Sequence, residues 1–178
     1  MSRLRVKLAI GVAVLGVAAT TAAAVAGDRM KLRTSLSGYE EVPAVSTTGG
    51  GEFRAAIDRD SDTIQYEITY HGMEGNVTQS HIHFAQESVN GGITHFLCSN
   101  LGNGPAGTPA CPQEGTVTGT ITPETMSANA NVVAQGLTTG EFDELVRALR
   151  AGAIYANVHS STWPGGEIRG QIENRQND

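Results

Sequence analysis

Four of the chain's five histidines stand where imidazoles can act together. His81 and His83 belong to Ser-His-Ile-His-Phe, His95 to Gly-Gly-Ile-Thr-His-Phe, and His159 ends Tyr-Ala-Asn-Val-His. In an extended strand, residues two apart share one face, about 7 Å apart along the chain. His81 and His83 therefore share a face, and Ile82 takes the other. By the same parity Asn157 and His159 face away from Ile154, Ala156 and Val158. If the two strands are neighbours, three imidazoles converge. Three or four nitrogen ligands without thiolate or carboxylate suit tetragonal copper or tetrahedral zinc, ahead of iron, calcium or magnesium.

The candidate metal ligands are thus His81, His83, His159 and His95, with copper placed before zinc. The alternative is a set of solvent-facing strand histidines with no ligand. Asn157, Glu167 and Arg169 are candidates to hold the ligating rings from behind. For Glu167 and Arg169, which share a strand face, the alternative is pairing with each other or across strands. Ligation needs neutral imidazole, so binding is expected to weaken below about pH 6. His71, alone before Gly72, reads as a surface residue. No other motif suggests catalysis: there is no Gly-x-Ser-x-Gly, no phosphate-cradling loop leading into a helix and no His-Glu-x-x-His. Glu40 and Glu41 are adjacent and diverge in a strand, so they do not form a glycosidase pair.

The elements that must position these residues are mostly strands. Phe53, Ala55 and Ile57 alternate with polar residues, as do Ile64, Tyr66, Ile68 and Tyr70, and the turn cluster 58–62 between them makes an antiparallel hairpin. Further strands are expected over 31–37, 78–86, 93–97, 115–122, 153–160 and 167–172. About eight short strands predict an all-β Greek-key sandwich or barrel. One segment departs from this period. Thr138 and Glu141 fit a capping box, Phe142, Leu145, Val146 and Leu149 form one stripe, and Gly152 follows, which predicts a short helix over about 139–150.

Composition agrees. The 178 residues include 22 Gly, with 17% charged and 5% aromatic residues, against an average of about 7% Gly and about 25% charged. The formal charge of −6 excludes a basic nucleic-acid binder. Arg3, Arg5 and Lys7, the apolar run 8–19 and Ala24-Val25-Ala26 read as a secretory signal peptide over 1–26, leaving one domain over 27–178 with no membrane segment. A short N-terminal anchor is the alternative. Without those three cations the balance of 12 cations to 18 acids becomes 9 to 18, or −9. Cys98 and Cys111 are the only cysteines and flank a Gly- and Pro-rich segment. In an exported chain they are expected to form a disulfide.

Several blocks together resemble a known family. Leu36-Ser-Gly-Tyr-Glu-Glu-Val-Pro43, Ser80-His-Ile-His-Phe84, Tyr155-Ala-Asn-Val-His-Ser160 and Pro164-Gly-Gly-Glu-Ile-Arg-Gly-Gln171 are similar, in order, to the CHRD domain, over a core of about 32–172. That domain takes its name from chordin and is widespread in exported bacterial proteins. The resemblance implies a secreted or periplasmic protein. It also implies a non-catalytic binding or structural module, whose partner would be an extracellular protein or a metal ion. A second, weaker similarity is to the copper/zinc superoxide dismutases, in the order of His81, His83, His95 and His159. With no His or Asp between His95 and Cys111 to hold zinc, the resemblance is to copper-only variants, and this is the alternative, enzymatic reading. The negative charge would repel an anionic substrate unless cations such as Arg169 focus the field.

Overall fold

The computed structural model describes residues 30–127 and 129–173; the expected signal peptide lies outside them. Eight strands make one antiparallel sheet: β1 (Met30–Ser37), β2 (Gly50–Asp58), β3 (Thr63–His71), β4 (Val77–Phe84), β5 (Gly92–Ser99), β6 (Gly115–Ile121), β7 (Ile154–Ser160) and β8 (Ile168–Gln171). Their spatial order is β5-β4-β7-β8-β1-β2-β3-β6. The sheet rolls into a nearly closed barrel. At its pinch point β8 meets β1 through the single register pair Ser37–Arg169. At the opposite seam Tyr66 on β3 donates its hydroxyl to the Leu97 carbonyl of β5 at 3.0 Å.

The period-2 pattern places the core. Ile64, Tyr66, Ile68 and Tyr70 point inward with Phe53, Ala55 and Ile57 across the hairpin, and Leu32, Leu36, Val117 and Ile121 join them from the flanking strands. Ile82, Ile154, Ala156, Val158 and Ile168 supply the opposing wall. On β2 and β3 the alternate positions are half-buried or exposed, but every residue of β7 and the stretch 80–83 of β4 are buried on both faces. Something therefore covers the outer face of β4 and β7, and that is where the histidines lie.

Two helices follow β6. The expected helix is α2 (Phe142–Arg150), with Phe142, Leu145, Val146 and Leu149 buried in the core. It begins three residues later than the capping pattern suggested. Thr138 and Glu141 form the turn before it, where the Glu141 carboxylate accepts the Thr138 N–H at 2.8 Å. The left-handed Gly152 (φ 67°) ends the segment. The unexpected helix is α1 (Ala130–Ala134), capped by the Asn129 side chain and burying only Val132. Five residues with one buried side chain leave no helical period to detect. Cys98 and Cys111 are joined in a disulfide, as expected.

Candidate metal centre

Strands β4 and β7 are antiparallel neighbours, so side chains of matching parity on the two strands share a face. The register sets His81 opposite Asn157, His83 opposite Tyr155 and Gln79 opposite His159. His81, His83 and His159 thus occupy one outward face, and one nitrogen from each ring lies within 4.8 Å of the others. Ring centroids are 5.0 Å apart for His81 and His159, 5.4 Å for His81 and His83, and 6.4 Å for His83 and His159. The three are not solvent-facing: they are only 1, 7 and 6% exposed, in the order 81, 83, 159. Phe96 closes one side, edge-on to His81 at 4.5 Å.

Backbone carbonyls from two covering loops set the tautomers. His83 donates from Nδ1 to the Gly91 carbonyl at 3.0 Å, and His159 from Nδ1 to the Pro164 carbonyl at 3.0 Å. Each ring is then left with a bare Nε2 lone pair. The His159 Nε2 receives the His81 Nδ1–H at 3.2 Å, and the Asn157 amide oxygen lies 3.1 Å from the same nitrogen. The Nε2 atoms of His81 and His83 are buried with no hydrogen-bond partner in the protein. A bare buried acceptor without a partner costs about 1–3 kcal/mol, so two in one cluster point to a group that would satisfy both. A metal ion fits this donor set.

Burial also keeps the rings neutral. It pushes His81 down to about 2, with repulsion from His159, His83 and His95 adding to the effect. It pushes His83 down to about 4, although the Gly91 carbonyl pulls the other way. His159 and His95 are lowered by burial as well. The rings therefore hold their ligating form well below the pH 6 expected of ordinary histidines.

His95 does not join the three. It pairs with Ile82 across the β4–β5 ladder and so takes the opposite face. Its ring meets Tyr66 edge-on at 5.8 Å, and its Nδ1 donates to the Thr125 carbonyl at 2.9 Å. A four-histidine set in the dismutase order is thus not assembled. His71 is exposed.

Of the three supporting candidates, Asn157 stands among the ligating rings. Arg169 reaches them through Tyr155. Its guanidinium carbon lies 3.4 Å from the centre of the Tyr155 ring, and His83 stacks on that ring at 4.7 Å with 2° between planes. Arg169 is 2% exposed and donates to the Asn90 side chain at 3.1 Å and to the Val89 carbonyl at 2.8 Å. Glu167 does not take Arg169 as a partner. Its Oε1 accepts the Thr47 hydroxyl and the Glu74 N–H, both at 2.7 Å, and so ties two loops to the start of β8.

Two residues of the site were not singled out in the sequence. Tyr155 has the same parity as Asn157 and His159, which would have revealed it. Glu41 is buried in the loop after β1, near Arg169 and Asn157, and burial raises its carboxyl to about 7 while Arg169 opposes the shift. Its Oε1 has no hydrogen-bond partner. Gly166, at φ 133°, leaves it room: a Cβ there would run into the Glu41 carboxyl. The only signal for Glu41 was its place in the first of the family-like blocks.

Fold and site together define an all-β, disulfide-bonded barrel that carries a buried three-histidine cluster under a lid of loops. A sequence model of the CHRD domain matches residues 32–172, and the chain belongs to that family. No curated protein and no solved structure matches it. Among the described residues no helix is long and apolar enough to cross a membrane.

Proposed function

We propose that the protein is an exported, non-catalytic metal-binding module in which His81, His83 and His159 hold one transition-metal ion, copper before zinc. The observation that carries the reading is the pair of unpartnered Nε2 atoms on His81 and His83, in one buried cluster with His159, whose Nε2 carries no proton because its Nδ1 donates to the Pro164 carbonyl. Export is supported by the basic, apolar and small-residue succession of the first 26 residues and by the Cys98–Cys111 disulfide. Asn157 flanks the ligating rings. Gly91 and Pro164 fix the tautomers of His83 and His159, as carbonyls behind metal-bound histidines commonly do.

Copper(II) titrated into tag-free protein should bind at one equivalent. At a free concentration about 100-fold above Kd the gain is about 2.7 kcal/mol. For a domain of this size that raises Tm by about 5–10 °C. His81→Ala and His159→Ala, with circular dichroism confirming their fold, should lose both effects. Binding by these variants equal to the parent's refutes the site. The copper-loaded protein should not dismutate superoxide; activity that requires His83 would replace the binding module with an enzyme.

A further inference from the structure

The charge inventory around the three rings says which ion they favour. Among the described residues the cluster of possible ligands contains three imidazoles and neither a carboxylate nor a thiolate. Imidazole ligates as a neutral group, so the ligands bring no negative charge to offset that of an ion. The nearest additional donor, the Asn157 amide, is neutral too. Behind His83 stands a cation: Arg169 lies over Tyr155, on which His83 stacks, and its hydrogen bonds go to an amide and a carbonyl. The carboxyl buried near it, Glu41, is pushed by burial towards its neutral form, so it offsets this charge only in part. Residues 80–83 of β4 and all of β7 are buried, so bulk water does little to screen an added charge.

From this neutral donor set and its buried cation, and resting on the metal-binding reading above, we propose that the site is built for monovalent cuprous copper rather than for a divalent ion. The self-energy of a buried ion grows with the square of its charge, so a divalent ion suffers about four times the desolvation of a monovalent one. Repulsion by Arg169 doubles in the same comparison. Ligand number points the same way. Zinc in closed sites takes four ligands, whereas a d10 cuprous ion is satisfied by three nitrogens in a plane. Cupric copper wants a tetragonal set, and His95, the remaining candidate, is on the other face of β4 and β5.

The test compares the two oxidation states of one metal at one site. Cuprous affinity is measured anaerobically by competition with bicinchoninate, and cupric affinity by competition with a chromophoric chelator. Cu(I) should bind at least 100-fold more tightly than Cu(II). Equivalently, the potential of the bound copper should stand about 120 mV above that of the aqueous couple, at 59 mV per tenfold for one electron. In Arg169→Gln the ratio should shrink, mainly through tighter Cu(II) binding. If that variant does not fold, the ratio in the parent still decides. Cu(II) or Zn(II) bound as tightly as Cu(I), and lost in His81→Ala, overturns the cuprous preference and leaves the metal-binding reading standing. Failure of every ion to bind, or binding indifferent to His81→Ala, overturns both.

Discussion

Acid should unfold the metal-free protein at an unusually mild pH, and Glu41 should partly hide the effect. An unfolded histidine takes up its proton near pH 6.5, whereas burial holds folded His81 to about 2 and His83 to about 4. Both states are neutral above pH 6.5. Below it the unfolded chain binds more protons, so each ring costs about 1.4 kcal/mol of stability per pH unit until its own folded pKa is reached. Glu41 has the opposite sign. Its carboxyl is raised to about 7 from an ordinary 4.5, so between these values the folded state binds the extra proton and acidification stabilises it by a similar amount per unit. One imidazole is thereby cancelled. The other leaves a loss of about 2 kcal/mol between pH 6.5 and 5, and His95 and His159, both lowered by burial, add to it. Against a total of about 5–15 kcal/mol this is large. Urea unfolding followed by the fluorescence of Trp163, the single tryptophan, measures it. The midpoint should fall by about 1 M over that interval at constant slope. Glu41→Gln, which stays neutral, should steepen the loss to about 3 kcal/mol per pH unit. Stability that is flat or rising from pH 6.5 to 5, or a Glu41→Gln profile no steeper than the parent's, would show that these groups do not titrate as their burial dictates.

Three further outcomes are expected. Replacing Cys98 and Cys111 by serine frees the loop they close, 13 residues apart, and should cost about 3 kcal/mol in denaturant unfolding, without moving the metal stoichiometry. Gly170→Ala drives a Cβ into the Ser35 carbonyl and the Thr34 side chain at the β8–β1 seam; thermal unfolding should show a loss of about 1–3 kcal/mol. Because the rings stay neutral when buried, metal affinity measured on folded protein should change little between pH 7 and 5, and a tenfold fall per unit from pH 6.5 would show that they titrate as ordinary histidines.

Much of this arrangement was legible from side-chain parity. With strands over 78–86 and 153–160, His81, His83, Asn157 and His159 must face away from Ile82, Ala156 and Val158. Only the adjacency of β4 and β7 remained for the structure to supply. The position of His95 was not legible. Its face depends on the register between β4 and β5, which shifts twice, between Ser80 and His81 and between Ile82 and His83. A one-residue shift in register moves a side chain to the other face, and no pattern in the sequence marks it. The burial of the rings was equally hidden, since it comes from loops whose backbone carbonyls, at Gly91 and Pro164, carry no side-chain signature. Glu41 was hidden for a related reason. It is charged in the sequence, next to another acid, and only the loop that buries it near Arg169 makes it distinctive. The helix α2 was legible because its stripe, its acids in the first turn and its arginines in the last agree with one another.

Three imidazoles meeting at one ion should be visible in the X-ray absorption spectrum of protein loaded with one equivalent of copper. It should show three imidazole nitrogens at about 2.0 Å, a distance typical of metal-bound histidine, with His81→Ala losing the ordered site. A copper shell of oxygen or sulfur donors, or one unchanged by His81→Ala, would contradict the three-histidine site.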